Sequence, residues 1–208
     1  MNILAVESSC DETAVAIVRD GREILTDCIA SQVAEHRIYG GVVPEIASRK
    51  HVEAIYGLAD EALQKTGLTR KDIDAVAVTY APGLIGAVLV GVNFAKAAAM
   101  ALDKPLIPVH HIRGHIAANY LAFPELKPPF LCLVVSGGHT MIVEVEDYTK
   151  MRILGPPWTT PPVSASIRWA GSSACPIPAA RLWTRPPRRA TTRATPCPVP
   201  SPVRIPMT

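Results

Sequence analysis

The sequence predicts an α/β protein that begins with a mixed β-sheet covered by crossover helices. Three apolar, β-prone runs follow one another near the N-terminus, helical and strand patterns then alternate, and two more strand patterns come after the last helix. Sequential strands joined by tight turns form a meander, whereas strand–helix–strand units add parallel strands to the same sheet. With 49% hydrophobic residues, the chain has ample material for a core.

The three N-terminal strands are predicted from apolar runs bounded by turn residues. Asp20-Gly21 stands between the second and the third run and is a strong hairpin signal. The predicted strands cover residues 2–8, 14–20 and 22–31.

A loop around Gly40-Gly41 leads into the first predicted helix, over 44–66. Pro44 suits a helix start and Gly67 a helix end. Apolar residues recur at helical spacing within it, namely Val52, Ile55, Leu58, Ala59 and Leu63.

Helices and strands then alternate up to a last hairpin. The second helix is nearly all apolar over 84–95 before Lys96, so we expect it to be buried. The predicted elements are a strand over 74–80, a helix over 86–102, a strand over 105–111, a helix over 112–122 and a hairpin over 129–147.

Composition argues against several classes of protein. The five cysteines are widely spaced and contain no CxxC pair, which disfavours a disulfide framework or a zinc knuckle and favours a reducing compartment. The N-terminus meets an acidic residue too early for a signal peptide, and no run reaches the ~18 uncharged apolar residues of a membrane span. We therefore expect a cytoplasmic protein that does not bind a membrane.

His111 and His115 stand four residues apart in "VHHIRGH". On a helix this spacing places both imidazoles on one face, where their ring nitrogens can share a zinc or iron ion. The alternative is a pair of surface or capping histidines. Ile112 occupies the position at which the zinc-protease motif carries its catalytic Glu, so peptide hydrolysis is disfavoured.

Two turns combine a strand end with groups that suit phosphate chemistry. "VVSGGHT" (134–140) can aim backbone N–H groups at a phosphate or carboxylate, or it can be a plain hairpin turn. "ESSCDET" (7–13) carries Asp11 and Glu12, and acids at such a turn can hold Mg²⁺ beside phosphates. The alternative is an ordinary Asp- and Ser-rich turn.

Two further segments have a functional and a structural interpretation. "YAPGLIGAVLVG" (80–91) can offer helix N-terminal amides to an anion, although a packing turn is favoured. The segment 36–51 can touch a nucleic-acid backbone, although a solvated loop and helix start is the default. Its basic and aromatic residues are Arg37, Tyr39, Arg49, Lys50 and His51.

In this order and spacing, the motifs resemble those of the TsaD family, the tRNA N6-adenosine threonylcarbamoyltransferases, formerly called glycoproteases. The resemblance rests on "ESSCDETAVAIV", "SQ…H…YGGVVPEIASRKH" (31–51), "YAPGLIGAVLVG", "KPLIPVHHIRGHI" and "LVVSGGHT", and it covers residues 1–155. It implies the actin/hexokinase/Hsp70-like fold with RNase H-like lobes. It also implies transfer of a threonylcarbamoyl group from threonylcarbamoyl-AMP to N6 of adenosine 37 in tRNAs that read ANN codons.

The resemblance also implies roles for residues and partners. His111 and His115 match the family's iron or zinc ligands, and Asp11 and Glu12 match acids that face the cleft. The family's adenylate-binding segment corresponds to Val134, Val135, Ser136, Gly137 and Gly138. The implied partners are tRNA, TsaB and TsaE, with TsaC as the source of the intermediate. The rival from another class is a non-catalytic, TsaB-like binding protein of the same fold, which would not need the histidine pair.

The pattern changes after Gly155. Residues 1–155 carry a net charge of −4, whereas 156–208 carry +7 together with 13 of the 20 prolines and all three tryptophans. We expect this tail to be disordered, because it cannot bury enough apolar surface to offset its ordering entropy.

The tail also fits a shifted reading frame of the same gene. With suitable codons, a one-base shift turns 158–167 and 175–182 into "DDAAGECFD" and "PYPGGPA", which resemble the family's continuation. The rival is a genuine basic, Pro-rich tail. The predicted organisation is a first lobe over 1–110, the start of a second lobe over 111–155, and a tail over 156–208. On this prediction the chain lacks most of the second lobe, including an aspartate metal ligand, and is inactive and weak in metal binding. The DNA sequence near codon 155 tests the frameshift.

Overall fold

The structure is a computed structural model, and it describes residues 1–135 and 140–154. Eight strands and four helices occur there, together with one 3₁₀ turn at Arg70–Asp72. The strands are β1 (Asn2–Glu7), β2 (Glu12–Arg19), β3 (Glu23–Ser31), β4 (Ala75–Ala81), β5 (Leu106–His110), β6 (Phe130–Val135), β7 (Thr140–Val145) and β8 (Met151–Ile153). The helices are α1 (Val33–Arg37), α2 (Pro44–Thr66), α3 (Ile85–Leu102) and α4 (His111–Ala122).

The first five strands form one mixed sheet in the order β3-β2-β1-β4-β5. β1 pairs antiparallel with β2 and parallel with β4, and β4 pairs parallel with β5. The α/β fold class with an RNase H-like first lobe is thereby confirmed. The hairpin prediction is also confirmed, since β2 and β3 pair antiparallel and Asp20 and Gly21 at the centre of the turn both have positive φ (51° and 68°).

One face of this sheet packs against α2 and α3. Leu4, Val15 and Ile17 lie against α2, and Val6, Val76 and Val78 against α3. These side chains are almost fully buried and form the main core.

The expectation that the apolar run 84–95 is buried is wrong for part of its surface. Ile85 is 82% exposed and Leu89 is 50% exposed. A helix on one face of a sheet buries a single stripe, and in α3 that stripe consists of the small residues Ala87, Gly91, Ala95 and Ala99. By length and composition α3 could cross a membrane, and 22% of it is buried; in this fold it contacts β4 and α2.

The second sheet has the order β6-β7-β8 and packs against α4. Ile112 and Ile116 of α4 form a buried cluster with Val134, Val143 and Val145. α4 follows β5 without a connecting residue and begins at His111.

Two short elements were not predicted. α1 lies where we expected only a loop, and β8 follows the predicted hairpin. Five and three residues are too few for a sequence period to show. The predicted tail lies outside the described residues, and the domain boundaries and the frameshift stay predictions.

Candidate functional site

The carboxyl ends of three parallel strands carry the motif residues to one edge of the first sheet. β1 ends at Glu7 before the loop 8–11, β4 ends at Ala81 before the glycine turn, and β5 ends beside His111. Ligand sites of α/β proteins lie at this edge. Motifs that are far apart in sequence therefore share one region.

The two predicted metal histidines point their ring nitrogens at each other. Nε2 of His115 lies 3.0 Å from Nε2 of His111, and the ring centroids are 4.5 Å apart. Each Nε2 can thus reach the same ion at the usual ~2.0–2.1 Å for zinc. The residues fit a metal as two of its ligands.

The other ring nitrogen of His111 faces the end of β1. Nδ1 lies 3.2 Å from Oγ of Ser9 and 3.4 Å from Oε2 of Glu7. Burial raises the pKa of Glu7, but hydrogen bonds from Ser9 and Thr79 and the nearby His111 outweigh it, so the pKa lies below its ordinary value. A carboxylate that accepts from the far nitrogen of a metal histidine is a common orienting device.

Glu7 and Ser9 were not predicted as site residues. Both belong to the quoted motif, but their contact with His111 spans more than a hundred residues. The one available signal was the position of Glu7 as the last residue of a strand that leads to the candidate edge.

The loop 8–11 is held tightly by α3 and the turn before it. The Ser8 hydroxyl donates to the Ala87 carbonyl at 2.8 Å and accepts from the Gly91 amide at 3.1 Å. The Leu84 amide donates to the Ser9 carbonyl at 2.8 Å. The glycine turn therefore serves packing, which is the interpretation that the sequence favoured. Its Leu84 amide donates to a carbonyl of the protein and not to an anion.

Gly83 is required by this close approach. A Cβ at this position would lie 2.6 Å from the Ser9 carbonyl oxygen and 2.7 Å from a methyl group of Val88. Real Cβ atoms do not tolerate such distances from backbone, so a larger residue would displace the loop.

Asp11 and Glu12 follow Cys10 at the end of the loop. Asp11 is half-buried and its carbonyl accepts from the Gln32 amide at 3.0 Å. Glu12 is exposed and accepts from the Ser31 hydroxyl at 3.1 Å. Burial, followed by hydrogen bonding and charge from Asp11, raises the pKa of the Cys10 thiol to about 11.

The predicted adenylate segment is described in part. Val134 is 6% exposed and packs in the core with Ile112, so its side chain is not available to a ligand. Val135 is exposed at the end of β6. Ser136, Gly137 and Gly138 lie outside the described residues.

Two cations of the basic segment 36–51 form surface ion pairs, and His51 is buried. Arg49 pairs with Glu45 at 2.6 Å and Lys50 with Glu53 at 2.7 Å. His51 is fully buried, so its inclusion in a surface set is wrong. It occupies the buried stripe of α2 because it lies four residues from both Ala47 and Ile55.

A third metal ligand does not accompany the histidine pair in the part of the chain that the structure describes. Over 1–135 and 140–154, no group of three or more His, Cys, Asp or Glu side chains could hold an ion.

A sequence profile of the tRNA N6-adenosine threonylcarbamoyltransferases, the TsaD family, matches residues 23–163. The chain belongs to this family. The threonylcarbamoyltransferase of Clostridium perfringens (strain 13 / Type A) is 61% identical over 153 residues, which cover 74% of this chain and 45% of that protein. The one from Clostridium botulinum (strain Hall / ATCC 3502 / NCTC 13319 / Type A) is 58% identical over 155 residues, covering 74% and 46%.

The chain thus spans about half the length of the threonylcarbamoyltransferases it matches. Among solved structures it is similar to YeaZ from Pseudomonas aeruginosa, with a TM-score of 0.51 and 18% identity over 77% of this chain and 68% of that chain. At this identity the likeness shows the fold alone.

Proposed function

We propose that residues 1–155 supply the first lobe and the opening of the second lobe of a tRNA N6-adenosine threonylcarbamoyltransferase. The complete activity is transfer of the threonylcarbamoyl group from threonylcarbamoyl-AMP to N6 of adenosine 37 in tRNAs that read ANN codons. The observation that carries the proposal is the convergence of His111 and His115, 3.0 Å apart at Nε2, beside the Ser9 loop of the motif.

Each predicted site residue has a role in this proposal. His111 and His115 would hold iron or zinc, and such an ion supplies Lewis acidity that polarises a carbonyl group. Asp11 and Glu12 would face the reacting groups, where they can also hold Mg²⁺ beside phosphates. The segment from Val134 to Gly138 would bind the adenylate through backbone amides.

The chemistry of the proposed substrates, a tRNA anticodon loop and an adenylate, agrees with these roles. A base in an anticodon loop can be splayed out and reached by a cleft, whereas a paired base cannot. Phosphate recognition by glycine amides suits the departing AMP. The proposed partners are TsaB and TsaE, with TsaC supplying the intermediate, and the proposed compartment is the cytoplasm.

A TsaB-like, non-catalytic binding protein is the second candidate. The similarity to YeaZ supports the shared fold. However, a purely binding role does not need two converging imidazoles, one of them braced by Ser9 and Glu7, so the histidine pair favours the catalytic branch.

A transfer assay tests the proposal in two steps. The 208-residue chain, incubated with TsaB, TsaE, TsaC, threonine, ATP and tRNA, is expected to form no modified adenosine by itself, since it spans about half of its relatives. A chimera carries residues 1–155 of this chain and the remaining part of the Clostridium perfringens relative. It is expected to be active and to lose activity on His111→Ala.

Two results would contradict the proposal. Activity of the 208-residue chain would refute its proposed inactivity. A folded chimera that binds TsaB but forms no product, with or without His111, would favour the binding-protein alternative.

A further inference from the structure

Two buried histidines form a polar network next to the loop that carries Asp11. His51 on α2 is 0% exposed and His36 on α1 is 3% exposed, with the buried Gln32 between them. Buried ring nitrogens are normally hydrogen-bonded, so the partner of each nitrogen shows where its proton lies. The proposed chemistry uses none of these three motif residues.

Backbone groups at the ends of the network fix the direction of its bonds. The Ala47 carbonyl only accepts, so the Gln32 group 3.4 Å from it is the NH₂, which also lies 3.5 Å from Nδ1 of His51. That nitrogen must therefore offer a lone pair, and it also accepts from the Thr13 hydroxyl at 2.7 Å. The proton is on Nε2, which donates to the Cys10 carbonyl at 3.0 Å.

The other end of the network agrees with this assignment. The amide oxygen of Gln32 faces Nε2 of His36 at 3.1 Å, so this nitrogen donates. Nδ1 of His36 then accepts from the Val43 amide at 3.3 Å. In this arrangement both imidazoles donate from Nε2 and accept at Nδ1, and no donor faces another donor.

We propose that His51 is a positioning residue that fixes the conformation of Asp11 and Glu12. Its two nitrogens bind Cys10, directly before Asp11, and Thr13, directly after Glu12. A rigid ring that joins both ends of a two-residue segment limits how that segment can move. A catalytic role of Asp11 and Glu12 rests on the proposed function, whereas the hydrogen bonds of His51 to Cys10 and Thr13 do not.

Side-chain replacements separate positioning from simple packing. His51→Gln keeps an N–H group that can reach the Cys10 carbonyl, whereas His51→Asn is too short to reach it. His36→Asn is the matched control, because it removes an equally buried imidazole that contacts neither Cys10 nor Thr13.

NMR spectroscopy of the ¹⁵N-labelled 208-residue chain tests the inference without catalysis. Ring spectra are expected to show His51 protonated at Nε2 and bare at Nδ1. Amide exchange is then followed for Gln32 and Leu84, which donate to the carbonyls of Asp11 and Ser9. In His51→Asn both should exchange about tenfold faster, as loss of one buried hydrogen bond implies.

The remaining variants sharpen this test. His51→Gln should restore slow exchange, and His36→Asn should leave the Leu84 amide unchanged. The Asp74 amide, bonded to Asn2 at the other end of β1, should not respond in any variant.

Several results would overturn the inference. One is a His51 ring protonated at Nδ1, which is read from the unmutated chain. Another is equal acceleration at Asp74 or in His51→Gln, which would reduce His51 to a packing residue. If no transfer activity is ever found, the proposed function fails, but these readouts still decide whether His51 holds the loop.

Discussion

Nδ1 of His111 lies 3.4 Å from Oε2 of Glu7, so a carboxylate from the first strand braces a histidine at the start of α4. The lowered pKa of Glu7 keeps this group ionised at neutral pH. A carboxylate draws the imidazole proton to Nδ1 and leaves the Nε2 lone pair free for a metal. Through this contact, the end of β1 influences how strongly Nε2 of His111 can bind a metal ion.

Replacing Glu7 by Gln is expected to weaken zinc binding. The amide keeps the size of the side chain but removes the charge that favours a proton on Nδ1, and losses of this kind cost about 10–100-fold in metal affinity. Titration of the ¹⁵N-labelled chain with ZnCl₂, followed on the ring signals of His111 and His115, measures the change even when binding is weak.

The control for this variant is Glu35→Gln, which neutralises an exposed carboxylate on α1. It should bind zinc like the unmutated chain. Equal affinities for all three proteins would show that Glu7 does not orient His111.

Gly91 is expected to be intolerant of alanine although it lies inside a helix. A Cβ there would stand 2.4 Å from the hydroxyl of Ser8, which is fully buried and bonded to Ala87. Overpacking of this kind costs about 1–3 kcal/mol. Urea unfolding of Gly91→Ala should show that loss.

Gly57 provides the matched comparison within α2. A Cβ at Gly57 meets nothing within 4 Å, so Gly57→Ala should stabilise the fold by about 0.5–1 kcal/mol through helix propensity. Removing the Ser8 hydroxyl with Ser8→Ala should reduce the cost of Gly91→Ala. An unchanged cost in that background would exclude the proposed clash.

The mixed sheet with crossover helices was predictable because its signals are local. Short apolar runs, the Asp20-Gly21 turn and alternating helices lead to one mixed sheet, and the carboxyl ends of its parallel strands then mark the site. The same logic placed His111 and His115 on one helix face. These features depend on residues within a few positions of each other.

The supporting residues were not predicted because their partners are distant or their burial is unusual. Glu7 meets His111 across 104 residues of the sequence. His51 follows Arg49 and Lys50 and so looks like a surface residue, yet its spacing from Ala47 and Ile55 puts it on the buried stripe of α2. A polar residue on such a stripe was the available signal, and it requires a buried partner.

Arg22 is expected to stabilise the contact between the first hairpin and the end of α4. Its guanidinium donates to the Tyr120 carbonyl at 3.2 Å and lies 5.0 Å and 5.6 Å from the ring centroids of Tyr120 and Tyr148. Arg22→Ala should lower the free energy of unfolding by about 1–2 kcal/mol. Chemical denaturation measures this loss.

Arg19 in the same hairpin is the control. It pairs with Glu23 at 3.5 Å, and both side chains are largely exposed, so Arg19→Ala should cost less than about 1 kcal/mol. Arg22→Lys should recover only part of the stability, because an ammonium group does not stack on aromatic rings as a planar guanidinium does. Full recovery would reduce the role of Arg22 to its charge.

Cys10 is expected to react slowly with iodoacetamide at pH 8 although it is exposed. Its pKa of about 11 means that about a thousandth of it is thiolate at that pH, and the thiolate is the nucleophile. The rate should rise about tenfold per pH unit between pH 8 and 10. Peptide mass spectrometry assigns the label to Cys10 among the five cysteines.

Asp11→Asn separates the causes of this slow reaction. Burial is the largest cause of the raised pKa, and the hydrogen bond and charge of Asp11 come next. Because the Asn side chain removes the charge but keeps the burial, the rate at pH 8 should increase without reaching that of N-acetylcysteine. A rate that already levels off near pH 9 in the unmutated chain would show an ordinary thiol, and neither burial nor Asp11 would then raise the pKa of Cys10.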